Sequence, residues 1–110
     1  MNGMQKSEVV ARVLDGNQIK CEIVSPLGQT LTLSGSTTDV EPTFEKVGLG
    51  NNRALVNSAW AFAMDKYAAV NLPDREQQQN AEKRAEAHRK TAEWLSEVAG
   101  DLTREKKYGW

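Results

Sequence analysis

The chain has 110 residues, with 14 Lys plus Arg against 15 Asp plus Glu and a formal net charge of −1. That is the length of one domain, able to bury a single core, and the charge balance supplies no long-range field toward nucleic acid or an anionic membrane. The lone cysteine, Cys21, excludes an internal disulfide, and the densest apolar run, Ala59 to Met64, is far shorter than the roughly 20 residues that span a bilayer. No charged segment followed by an apolar run opens the chain as a secretory signal does, so a protein of the reducing cytoplasm is expected, with one domain over 1–110.

From Glu8 to Ser34 apolar and polar residues alternate with the period of half-buried strands, which predicts an antiparallel meander of about three strands over 8–34. The first run, Val9 to Leu14, ends at Asp15-Gly16, a dipeptide suited to the positive φ of a tight hairpin turn. The same residues have a second reading as a short helix capped by Ser7. In the second run, Gln18 to Val24, Ile19, Cys21 and Ile23 share one face, while Gln18, Lys20 and Glu22 take the other. Pro26-Leu27-Gly28 supplies the next turn, and the run Thr30 to Ser34 aims Leu31 and Leu33 inward. One face is apolar and one is wet, so another layer must cover the first.

Periodicity is lost over 35–52, a connecting segment rich in Ser, Thr, Gly and Pro. Thr43 is placed to cap one turn through Phe44, Glu45 and Lys46, and Phe44 with Val47 is expected to pin the loop to the body. Alanine use then rises sharply: 11 of the 12 alanines follow Arg53, which marks the switch from strand to helix. With Asn51 or Asn52 as its cap, a core helix is predicted over 53–70. Val56, Ala59, Trp60, Ala63, Tyr67 and Val70 form its stripe, and Leu55, Phe62 and Ala69 spread apolar surface to the neighbouring faces, the mark of a helix covered on more than one side.

Asn71-Leu72-Pro73-Asp74 breaks this pattern, because the residue before proline avoids helical backbone while proline suits a first helical turn. A second, longer helix is predicted over 73–105, followed by a tail at 106–110; Gly100 is either inside this helix or its end. Ala81, Ala85, His88, Ala92, Leu95, Ala99 and Leu102 recur at steps of four and three along it, a heptad seam. Trp94 and Val98 widen the seam in its later half. Its small residues favour close approach of another helix, and they are expected to form an interface between copies of the chain, as in a four-helix bundle made from two hairpins.

The chemistry-bearing residues are few. His88, the only histidine, lies in the alanine seam, where packing rather than general-base work is expected; protonation there would put a charge into an apolar interface. Cys21 shares a face with Ile19 and Ile23 and reads as a small core hydrophobe. One Cys and one His do not make a zinc tetrad, so no metal or cofactor is expected. Gly48 to Arg53 has glycines ahead of a helix but lacks the Lys-Ser/Thr end of a phosphate loop, and a turn with an Asn cap explains it. Arg84, Arg89 and Lys90 could face phosphate, yet from Arg75 to Lys107 the helix carries 8 basic and 7 acidic residues. The tail holds Arg104, Lys106, Lys107, Tyr108 and Trp110, aromatic residues beside cations that suit contact with another protein as in interfaces and equally suit docking back onto the chain's own sheet.

These features predict an α+β fold: an N-terminal antiparallel meander packed against a C-terminal helical hairpin with a long second helix. The function expected is non-enzymatic: a small protein-binding or assembly protein that self-associates through its hairpin and contacts another protein through its tail, such as an adaptor, an inhibitor or a component of a larger assembly like a phage particle. The alternative is a dimeric nucleic-acid-binding regulator; a third reading is an enzyme or small-molecule binder using the Gly48 to Arg53 turn.

Overall fold

The alternation between Glu8 and Ser36 folds as three antiparallel strands, β1 (Glu8–Val13), β2 (Gln18–Val24) and β3 (Thr30–Ser36), in the order β1-β2-β3. The computed structural model describes residues 7–107, with side chains at 7–69 and 72–98. Gly16 takes φ of 65° in the first turn and Gly28 takes 82° in the second, both in the left-handed region that glycine enters without steric cost. Glu8 to Val13 is a strand, and Ser7 does not cap a helix there.

Register decides which side chains stack. Ala11 pairs with Cys21 and Cys21 with Leu33, while Val9 pairs with Ile23 and Ile23 with Leu31, so two buried apolar rows cross the sheet. A third row runs Val13, Ile19, Gly35, and its glycine makes room for Trp60: a Cβ at Gly35 would lie 3.3 Å from two carbons of that ring. The third strand therefore extends past Ser34 because Gly35 and Ser36 continue the ladder.

The connection does not form a turn capped by Thr43. Thr43 instead exchanges both backbone hydrogen bonds with Ser34, at 3.0 and 2.7 Å, and so covers part of the outer edge of β3. Phe44 packs against the core, whereas Val47 is 64% exposed and does not pin the loop. A short 3-10 turn, Gly48–Asn51, leads into α1 (Arg53–Asn71), which Asn52 caps by accepting the Leu55 N–H at 3.1 Å.

α1 supplies the cover that the sheet requires. Leu55, Val56, Ala59, Trp60, Phe62 and Ala63 are buried in one cluster with the apolar rows of the sheet. Leu72, ahead of Pro73, is extended (φ −78°, ψ 135°), and α2 (Arg75–Lys107) begins where the Asp74 carboxylate accepts the Glu76 N–H at 3.0 Å. At 1.5 Å per residue α2 is about 50 Å long against about 28 Å for α1, so it overhangs its partner. The longest dimension of the molecule is 52 Å. Gly100 lies within the helix and does not end it.

One buried polar contact ties the chain's start to its late helix. Ser7 and Ser96, 6% and 0% exposed, lie 2.5 Å apart through their hydroxyls, and the Ser96 hydroxyl also bonds the Glu93 carbonyl at 2.9 Å. A carbonyl only accepts, so the Ser96 proton goes to Glu93 and Ser7 donates to Ser96. Ser96→Ala is expected to cost about 1–3 kcal/mol in urea unfolding because the Ser7 hydroxyl is left buried and unpaired, and adding Ser7→Ala should restore part of it. Equal stability of single and double variants would show that the Ser7 hydroxyl reaches water.

Candidate interaction surface

The seam on α2 meets α1 of the same chain. Ala81 and Ala92 are fully buried and Ala85 is 5% exposed, and Ala85 and Ala92 belong to the same core cluster as the α1 stripe, with Leu95 packed at its margin. Small side chains let the two helices approach closely, so the heptad spacing closes the intramolecular hairpin. A face given to this contact is not free for a second copy while the hairpin stays closed. Ala99 and Leu102, the remaining seam positions, and Arg104, Lys106, Lys107, Tyr108 and Trp110 of the tail have side chains outside the described residues. Trp94 is 58% exposed and Val98 half-buried, so Trp94 does not widen the seam but faces solvent.

His88 sits at the rim of the seam. Its Nε2 is 3.5 Å from Asp65 Oδ2 on α1, and Arg84 Nε is 3.6 Å from Oδ1 of the same carboxylate. The ring therefore lies beside a carboxylate of α1 and is half-buried, not enclosed in a wholly apolar seam. Arg89 bonds Glu86 at 2.5 and 2.8 Å and also reaches Glu93. These bonds hold the Glu86 carboxyl below its ordinary value and push the Arg89 guanidinium further up. Two of the three cations that could face phosphate are therefore engaged by carboxylates, and Lys90 is left exposed among them.

Cys21 is fully buried, its Sγ 3.7 Å from the Ala59 carbonyl. Burial first and the Glu22 carboxylate second push its thiol from 9.0 up to about 12, with Lys66 pulling the other way. The thiolate nucleophile is thus suppressed, and in the native chain Cys21 is expected to react with a thiol reagent at pH 8 only as fast as the fold opens. The unfolded chain releases this proton near pH 9 and the folded chain holds it, so stability is intact below pH 9 and falls as pH climbs toward 12. The loss at pH 10.5 is about 2 kcal/mol; melting of wild type should fall from pH 8.5 to 10.5 by more than that of Cys21→Ala. Parallel pH curves would show that the thiol is solvated.

The Gly48 to Arg53 turn spends two of its backbone donors internally. The Gly50 N–H bonds the Val47 carbonyl at 2.9 Å and the Asn52 N–H bonds the Leu49 carbonyl at 3.1 Å, while a Cβ on Gly50 would overlap the Glu45 carbonyl oxygen. The glycine serves close chain packing rather than approach of a phosphate. Among the described residues no group of three His, Cys, Asp or Glu is placed to hold a metal ion, and no helix is long and apolar enough to cross a membrane.

A surface that the residue pattern does not announce lies beside β1. The Leu14 N–H bonds the Gln18 carbonyl at 2.7 Å, and strand alternation then aims the backbone groups of residues 8, 10 and 12 at β2 and those of 9, 11 and 13 at the outer edge. Lys66 confirms the direction, donating from Nζ to the Ala11 carbonyl at 3.3 Å. Beyond this edge is a groove of about 390 Å³, lined by Val9 and Val10 of β1, Phe62, Lys66 and Ala69 of α1, and Glu82, Ala85, Glu86 and Arg89 of α2. Its walls are apolar and its rim is charged, and Val10 at its mouth is 40% exposed. In any three-strand meander the first and last strands are edges; here Thr43 bridges the edge of β3, and among the described residues only the Lys66 side chain bonds the edge of β1. Set against known proteins, the chain matches no family model, no curated protein and no solved structure.

Proposed function

We propose that the chain is a non-enzymatic protein-binding or assembly protein of the reducing cytoplasm, and that it binds through the free edge of β1 and the groove beside it. The observation that carries this reading is an edge strand whose outward backbone meets only the Lys66 side chain among the described residues and opens on an apolar groove, since main-chain hydrogen bonds and side-chain pockets there recognise extended segments. A buried, unreactive Cys21 suits a compartment without disulfides. Self-association through the hairpin would require α2 to leave α1 of its own chain and close on another copy. Nucleic-acid binding is the weaker reading, because Arg84 and Arg89 are engaged by Asp65 and Glu86.

The test is selection from a display library of random peptides on the immobilised full chain, followed by light scattering of the free chain across a concentration series. Enriched peptides that lose binding to Val10→Asp support the reading, and selection that enriches nothing sinks it. A scattered mass of one chain is expected; a stable dimer would return the helices to self-assembly.

A further inference from the structure

The outer edge of β1 offers more than a backbone that, among the described residues, only Lys66 bonds. Along the solvent face of β1 lie Glu8, Val10 and Arg12, paired across β2 with Val24, Glu22 and Lys20. Arg12 therefore stands directly opposite another cation, an unfavourable arrangement, and Lys66 adds a third positive charge at the neighbouring Ala11 carbonyl. Glu8 makes the other end of the strand acidic, and Glu22 stands opposite Val10. The edge is thus charged in opposite senses at its two ends with an apolar position between them.

The backbone facing the groove repeats this incompleteness. Val9 and Ala11 are each 5% exposed, yet the Val9 N–H and carbonyl and the Ala11 N–H have no hydrogen-bond partner among the described residues. Nearly buried backbone groups are almost always paired, and these point into a space lined by Phe62, Ala69 and Ala85. The charged groups that line the groove beside them are Lys66, which holds the Ala11 carbonyl, Glu82, and Glu86 with Arg89, which bond each other.

Resting on the protein-binding reading above, we infer that the groove takes one extended peptide segment added antiparallel to β1. That segment carries an acidic residue opposite Arg12, an apolar residue opposite Val10 and a basic residue opposite Glu8. In its own direction it reads acidic, inward, apolar, inward, basic, with the two inward residues small or aliphatic, to fit against Phe62, Ala69 and Ala85. The inward residues pair with Ala11 and Val9 and satisfy their free backbone groups, and the first of them supplies an N–H to the carbonyl that Lys66 now holds. A second intact copy does not fit this space. α1 rests on both β1 and β2, while Ser96 of α2 meets Ser7 and Glu82, Ala85, Glu86 and Arg89 of α2 line the same groove. A partner's β1 would bring its own α2 into the volume that this α2 fills.

The test uses the full chain and a fluorescein-labelled peptide, Thr-Glu-Val-Val-Val-Lys-Thr, followed by anisotropy and by amide hydrogen exchange. Binding is expected, with slowed exchange at Val9 and Ala11, and Arg12→Glu should weaken it about fivefold, the effect of replacing one favourable cross-strand pair by a repulsive one. Arg12 is exposed, so this variant keeps the fold. The doubly exchanged variant Glu8→Lys with Arg12→Glu should prefer the peptide with Glu and Lys interchanged. Wild type binding that interchanged peptide equally well would overturn the antiparallel charge register. Peptide binding without protection of Val9 and Ala11, or doubling of the chain's mass in place of peptide binding, would overturn the edge addition. Library-selected peptides that bind at the groove without this pattern would leave the protein-binding reading standing and remove only the inference.

Discussion

Ala92→Glu is expected to unfold the chain rather than to divide an assembly. Ala92 is fully buried between the helices and belongs to the same core cluster as Ala59, Ala63 and Leu55. The substitution adds four heavy atoms beyond the methyl and a charge to a contact that exists because both helices present small groups there. Overpacking alone costs about 1–3 kcal/mol, and an unpaired buried carboxylate adds several kcal/mol unless it protonates. Total stability of a domain is about 5–15 kcal/mol, so little or none should remain. Circular dichroism would show loss of the cooperative melt at neutral pH, with partial recovery near pH 4 as the carboxyl takes up a proton. A variant that melts as wild type does, but with half its scattered mass, would place the seam between copies. Ala92→Ser, which changes little volume, should melt within a few degrees of wild type and serves as the control for position.

Trp60→Ala is expected to cost about 3–5 kcal/mol, the range for removing a large aromatic from a core. Trp60 is 4% exposed and joins three parts of the molecule. Its ring carbons lie over Gly35 of β3, its backbone is part of α1, and its Nε1 donates to the Asp39 carbonyl in the connection at 3.1 Å. Asp39 in turn closes the end of β3, accepting the Ser36 N–H through its carboxylate at 2.8 Å. Removing the indole leaves a cavity against the one place in the third row where the sheet has no side chain to fill it. Trp60→Phe keeps most of the bulk and loses the hydrogen bond, so it should cost less, with about 1 kcal/mol assigned to the bond. Urea midpoints of the two variants against wild type measure the split. Equal losses would mean that the bond to Asp39, and not the ring, holds the connection in place.

Much of this fold is legible in the order of residues. Alternation locates β2 at its observed bounds, Gln18–Val24, because a half-buried strand needs period two and the turns on either side contain Gly16 and Gly28. Asn52 is readable as a cap and Pro73 as the break between helices for equally local reasons. The seam on α2 is readable as a buried face, and its described alanines are buried. Its partner is not readable, since heptad spacing states which side of a helix is covered and is indifferent to whether the covering helix belongs to the same chain. Trp94 and Val47 show the same limit from the other direction. Each is apolar and lies two residues from a buried one in sequence, and each is exposed because the hairpin and the connection leave nothing among the described residues opposite it. Thr43 looks like a cap by residue type, but Ser34, nine positions earlier, offers it a complete backbone pair, and two ladder bonds outweigh one side-chain cap.

The sequence by itself determined the kinds of element, their order and their inward faces, because periodicity, caps and glycine turns act over a few residues and need no distant partner. Only the tertiary structure decided that α1 fills the α2 seam, that Asp65 stands beside His88, and that among the described residues the outer edge of β1 meets only Lys66 and borders a groove. Those outcomes rest on contacts such as Ser7 with Ser96 and Lys66 with the Ala11 carbonyl, 89 and 55 positions apart, which leave no periodic trace in the chain. They arise from packing one sheet face under two unequal helices, where α1 rests on β1 and β2 and α2 stands at the margin.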